Sequence, residues 1–155
     1  MTTTYHSKEE NTMYHIFTIE GIPQGKERAR TVRDAYGNVR TYTPSKTRNY
    51  EKQVALAYGY GLRFLDKPVS ITILAVFPIP KSYSKKRKEL CLSGAELPKT
   101  KPDLDNIAKA ILDGLNGIAY NDDKQVAQLC VTKRYGNQPF VKVYVEDFNP
   151  CDLTI

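Results

Sequence analysis

The stretch PVSITILAVFPIP, from Pro68 to Pro80, constrains this chain more than any other. It is β-branched and nearly all apolar, so it lacks the polar alternation of a strand with one wet face. It reads as a strand buried on both faces and central in a sheet. Pro78 and Pro80 stop it, because neither can donate to a ladder.

The other elements sort around that strand. Met1 to Met13 is polar and patternless and is expected to be a flexible N-terminal extension. YHIFTIEG, beginning at Tyr14, is the first strand candidate. IPQGKERARTVRDAYGNVRTYTP sets Lys26, Arg28, Arg30, Arg33 and Arg40 against Glu27 and Asp34, with YGN as a turn between two short strands: a basic loop or hairpin. Thr43 and Pro44 fit an N-cap and first helical position. Tyr50, Val54, Ala57 and Tyr58 then recur at helical spacing until Gly59 and Gly61 close the helix. KSYSKKRKELCLSGAELPKTK is strongly basic, with Ser84 placed to cap a short helix. QVAQLCVTKRYG and FVKVYVEDF alternate as two antiparallel strands joined through GNQP. The prediction is an α+β fold, a small mixed β-sheet with helices packed against it, in one domain over 14–148 with a C-terminal tail over 149–155.

Composition narrows the setting. At 155 residues and 41% hydrophobic, the chain suits one globular domain with a real core. No apolar run approaches the roughly 20 residues of a membrane span, and the start lacks the order of a signal peptide, so a soluble cytoplasmic protein with no membrane partner is expected. Cys91, Cys130 and Cys151 have no metal-ligand spacing and cannot all pair within one chain, which favours free thiols. His6 and His15 suggest no zinc site. A net charge of +6 points to a polyanionic partner.

KPDLDNIAKAILDGL, from Lys101 to Leu115, carries the chemistry. Leu104, Ile107, Ala108, Ile111, Leu112 and Leu115 make one buried face of a helix ending near Asn116 and Gly117. Asp105, Lys109 and Asp113 line up on another face. A plain structural account exists: Asp103 caps the helix, Asp105 meets its dipole, and Asp105 pairs with Lys109 for a few tenths of a kcal/mol. A second acidic pair, Asp122 and Asp123 in AYNDDKQV, changes the balance. If these acids converge on the first pair, mutual repulsion raises their pKa values unless a cation neutralises them. Oxygen-only ligands suit Mg²⁺, or Mn²⁺, better than zinc or copper.

KPDLDNIAKAILDGLNGIAYNDDKQV resembles the core signature of the RusA-type endodeoxyribonucleases, Holliday junction resolvases frequent in bacteriophages and prophages. GIPQGKERART, RTYTPSKTRNYE and PIPKSYSKKRKELCLSG are similar to further segments of that family in the same order, so the likeness runs from about Ile16 to Tyr144. It implies a RusA-like fold and a metal-dependent twofold homodimer, active in DNA recombination and repair, that nicks opposed strands of branched DNA. By motif position it implies catalytic Asp103, Asp105, Asp123 and Lys109, with Mg²⁺ held by Asp103, Asp105 and Asp123. Asp122 is the alternative third ligand, because the loop before the pair varies in length. Asp113 is expected to orient Lys109. Lys26, Arg28 and Arg30 alternate as a backbone-tracking strand would require, and Lys85, Lys86, Arg87 and Lys88 crowd a helix N-terminus where phosphate is welcome, so DNA contact is expected of both sets. The competing readings are a nucleic-acid-binding protein without catalysis, and a metal nuclease that prefers flaps, forks or RNA structures.

Overall fold

Residues 3–6 and 13–148 are described by the structure, a computed structural model. The apolar run forms β5 (Val69–Pro78). Four more strands join it: β1 (Thr3–His6), β2 (Met13–Glu20), β6 (Val126–Gly136) and β7 (Phe140–Asp147). Their order is β1-β2-β7-β5-β6, and β5 runs parallel to β6 while every other pair is antiparallel, so the sheet is mixed. Three helices accompany it: α1 (Ser45–Tyr58), α2 (Lys85–Ser93) and α3 (Leu104–Leu115). A separate two-stranded hairpin, β3 (Arg30–Arg33) with β4 (Val39–Tyr42), lies between β2 and α1 in the chain.

One face of β5, made of Val69, Ile71, Ile73, Ala75 and Phe77, is buried with Phe17, Val143, Val54, Tyr58, Ile107 and Ile111 in a single core. Each fully buried Ile or Leu of α3 contributes about 1.5–3 kcal/mol by leaving water. The opposite face is less covered than the run of apolar residues predicts. Ser70 and Val76 are buried, but Thr72 and Leu74 are only half-buried. Leu92 of α2 shares an open groove with Leu74, Val76 and Phe140, so α2 shields only part of that side.

Five expectations need correction. β6 and β7 do not form a hairpin. Val76 sits opposite Phe140 and Pro78 opposite Gly136, so β5 separates them and the 137–139 loop crosses its end. Alternation makes a strand but does not choose its neighbour. Thr43 does not cap α1: Pro44 holds that position with an extended ψ of 143°, and the helix starts one residue later than expected. Leu104 is 44% exposed, because the first residue of α3 leans back over a turn with no core beneath it. Ala110 and Gly114 take part in the buried face instead. Thr3–His6 of the expected N-terminal extension pairs with Met13–Ile16 as β1, and Met13 opens β2. Backbone pairing of that kind needs no apolar pattern. Finally, Asp113 does not serve Lys109, as described below. Cys91 is buried and Cys130 exposed, both free, and Cys151 lies outside the described residues, as does the 149–155 tail.

Gly114 sets how closely the helices approach. A Cβ there would stand 2.7 Å from Cβ of Val54 and 3.0 Å from the Glu51 carbonyl, so only glycine lets α3 lie this near α1.

Candidate active site

Asp103 occupies the N-cap position of α3, with φ −69° and ψ 156°, but its side chain makes no capping hydrogen bond. A capping aspartate ordinarily accepts from the second or third amide of its helix. Asp105, in the first turn, receives only a long 3.5 Å contact from the Asn106 side-chain Nδ2. Both are exposed, as is Lys109, and none of the three belongs to an ion pair among the described residues. The pairing of Asp105 with Lys109 that would make this an ordinary helix start is therefore absent from those residues.

The segment before α3 is held firmly. Lys133 of β6 reaches in and donates to the carbonyls of Thr100, at 2.6 Å, and Pro102, at 2.9 Å. The Lys101–Pro102 peptide is cis. Gly25 packs on the other side, where a Cβ would come within 2.7 Å of Pro102, and the neighbouring Lys26 amide donates to the Asn106 carbonyl at 2.9 Å. Asp103 thus opens into a groove of about 930 Å³ that also takes in Lys26, Arg28, Lys46 and Lys101. Two carboxylates, Asp103 and Glu27, stand among those four cations, so the lining keeps a net positive charge suited to an anionic chain.

The far end of α3 is built differently. Asp113 accepts a hydrogen bond from Lys26 Nζ, and Glu51 of α1 stands 3.8 Å from the same nitrogen. All three side chains are mostly buried. The Asp113 hydrogen bond, foremost among several causes, raises the Lys26 pKa; burial pushes that of Glu51 up against the pull of Lys26. Both rise because the one lysine charge serves Asp113 directly and Glu51 only at a distance. Asp123 lies close enough for its charge to act on Lys26 and on Tyr120, whose hydroxyl pKa is raised by burial first and by Asp123 and Asp113 next. Lys26, expected to contact DNA, is therefore committed to an internal pair. Asp113 holds Lys26 in place of Lys109.

The two members of the second acidic pair differ sharply. Asp122 caps the 3₁₀ turn Asp123–Gln125, accepting from the Lys124 amide at 3.0 Å, and that bond lowers its pKa. Gln125 completes the cap at the Asn121 and Asp122 amides, and its own amide donates to the carbonyls of Phe64 and Lys67. Asp122 faces a separate recess with Asp66 and Lys124. Asp123 is exposed and has no ion pair among the described residues.

Lys85 and Lys86 are exposed and Lys88 half-buried on the first turn of α2, which Ser84 caps by accepting from the Arg87 amide at 3.4 Å. Arg87 does not share their freedom. Its guanidinium forks onto Glu96, with Nη2 at 2.6 Å, and lies 3.6 Å above the Tyr83 ring, so it braces the segment after α2. Arg30 pairs with Glu27 at 3.4 Å, whereas Arg28 is in no ion pair among the described residues. Sequence reasoning missed Glu51, Lys133, Lys46 and Gln125. Only Lys133 left a signal: it shares the inward alternation of Val131 and Tyr135 on β6.

A hard dication fits the donor chemistry of Asp103, Asp105 and Asp123, which are all-oxygen and unpaired. Their gathering is another matter, since among the described residues no three Asp, Glu, His or Cys side chains are grouped to hold a metal ion.

Among known proteins, the chain is 37% identical over 136 residues to the uncharacterized protein YqaN of Bacillus subtilis (strain 168), an alignment covering 84% of this chain and 94% of that protein. The family model described as endodeoxyribonuclease RusA matches residues 20–146, which takes in the groove, α3 and the acidic turn. The chain belongs to the RusA endodeoxyribonuclease family.

Proposed function

We propose that this protein is a metal-dependent endonuclease that resolves four-way DNA junctions by paired nicks, acting as a twofold homodimer. One observation carries the reading: the two carboxylates that begin α3 are exposed and in no ion pair among the described residues, and the first of them, Asp103, lines a cationic groove. A helix start with no catalytic task would use its acids for capping or pairing.

Asp103, Asp105 and Asp123 would hold Mg²⁺ or Mn²⁺. When bound, such a cation activates water and offsets charge on the phosphodiester in its transition state. Lys109, one turn along α3 from Asp105 and in no ion pair among the described residues, would offset phosphate charge as well. Arg28, Lys46 and Lys101 bind the backbone in the groove, and Lys85, Lys86 and Lys88 extend the contact at α2. Lys133 and Gly25 fix the segment that carries Asp103. Asp123 is the favoured third acid, because Asp122 is spent as a cap. Two matched sites in an isologous dimer suit the symmetry of a junction.

The test incubates the protein with an immobile four-way junction, a matched duplex and a flap, with and without Mg²⁺, and maps the nicks. Paired nicks across the junction that need the metal, with 5′-phosphate and 3′-hydroxyl ends, are expected. Junction binding without metal-dependent cutting, or cutting confined to the flap, would overturn the proposal. Replacing Lys85, Lys86 and Lys88 with alanine should weaken junction binding and flatten its salt dependence by about 2–3 units of log–log slope, leaving the cut positions unchanged.

A further inference from the structure

Every residue from Arg28 to Tyr42 is exposed. The segment leaves the groove at Arg28, pairs with itself as β3 and β4, and returns to α1. A two-stranded ribbon that buries no face is marginal alone, so its shape needs another support. The tip supplies it. The Asp34 carboxylate accepts from the amides of Tyr36 and Asn38 and from the Asn38 side chain, each at 2.9 Å, and Gly37 takes the left-handed φ of 84° that closes the turn. Asp34 is thereby held to an acceptor role, with its carboxyl pKa lowered by the Asn38 side chain. This fixed turn displays Tyr36 at 92% exposure.

The ribbon's charge fits one kind of partner. Arg33 and Arg40 are in no ion pair among the described residues, and Val32 lies opposite Arg40 and Val39 opposite Arg33, so each face offers an apolar side chain beside a guanidinium. Each strand spans about 13 Å, so the tyrosine stands more than a nanometre from the strand bases. A cationic arm with a rigid aromatic at its end matches a phosphate backbone leading to an unstacked base. Duplex DNA buries its bases, whereas a four-way junction in its open, unstacked form exposes base faces at its branch.

We propose that the β3–β4 arm reads the branch point: Arg33 and Arg40 track the backbone while Tyr36 stacks on a base exposed there. The inference rests on the junction reading given above, and it assigns to the arm the discrimination of branched from linear DNA.

The test measures affinity for an immobile junction carrying 2-aminopurine at the branch and for a matched duplex. Tyr36→Ala should lower the junction-over-duplex preference about tenfold, abolish the protein-induced change in 2-aminopurine fluorescence and leave duplex affinity unchanged. Tyr36→Phe should keep all three properties. Arg33→Ala with Arg40→Ala should weaken both complexes and reduce the log–log salt slope by about two. Because the arm is wholly exposed, none of these changes should move the melting temperature appreciably. A wild-type protein that binds junction and duplex equally overturns this inference together with the junction reading. Wild-type preference that survives in Tyr36→Ala overturns the arm's role alone. A change of oligomeric state in Tyr36→Ala on sedimentation assigns the arm to protein contact and likewise overturns it.

Discussion

The two ends of α3 use the same residue type in opposite ways. At the start, Asp103 and Asp105 stand in water with no ion pair among the described residues. About 12 Å along the axis from Asp105, by the rise of an α-helix, Asp113 is mostly buried and holds Lys26 beside Glu51. Charge that is neutralised internally supports the fold. Charge left exposed at the head of the helix stays available to something outside the chain.

Removing an acid from each end tests that division. Asp105→Asn keeps the side chain's shape and should reduce cleavage by more than about a hundredfold, with junction binding retained or tightened. Added Mg²⁺ should raise the wild-type melting temperature more than the variant's. An active variant with a reduced melting temperature would return Asp105 to an ordinary helix start. Asp123→Asn should behave as Asp105→Asn does.

Asp113→Asn should do the reverse. It leaves a mostly buried lysine with only the more distant Glu51, at a cost of about 1–2 kcal/mol in chemical denaturation, and activity per folded molecule should stay within a few fold of wild type. The pH dependence has a definite sign. Lys26 has a folded pKa above its ordinary 10.5, so its contribution is complete below that value and is lost as pH rises through the raised one. The gap between wild type and variant should therefore persist through neutral and mildly alkaline pH and close in strongly alkaline solution. A stable Asp113→Asn protein with collapsed cleavage would break the comparison, by moving Asp113 into the catalytic group.

A smaller effect separates the neighbours in the acidic turn. Asp122→Ala loses the cap and should cost about 1 kcal/mol while sparing cleavage, which a paired stability and activity assay would detect. Glu51→Gln should have the least effect. Burial raises the Glu51 pKa above 4.5, so its ionised form penalises the fold at neutral pH and the penalty fades as pH falls through the raised value. The glutamine variant should be no less stable than wild type at pH 7, by a margin under about 1 kcal/mol, and should lose that margin in acid.

Much of this contrast was legible in sequence, but only within single elements. The face of Ile107, Ile111 and Leu115 drew α3 to within a residue, and the β-branched run drew β5. Ser84 capped α2 as its spacing predicted, and YGN fell at the hairpin tip. Relations between elements left no local trace. Lys26 and Asp113 are 87 residues apart, and a lysine in a basic loop looks the same whether it meets phosphate or an internal carboxylate. Strand alternation likewise matched β6 and β7 to each other just as well as to β5. Arg87 looked like one cation among four until Glu96 and Tyr83 claimed it.

The parallel pairing of β5 with β6 bears on how the molecule comes together. Parallel neighbours need a long crossover, and here the crossover is the segment that carries Asp103, Asp105, Lys109 and Asp123. α3 packs on α1, but only β6 brings the Lys133 clamp on Thr100 and Pro102 that holds the segment ahead of Asp103. During refolding, then, the core strands should gain protection from amide exchange before the start of α3 does. A chain interrupted ahead of β6 would lose β6 and β7 together, leaving β5 without a strand to pair with and the sheet unmade.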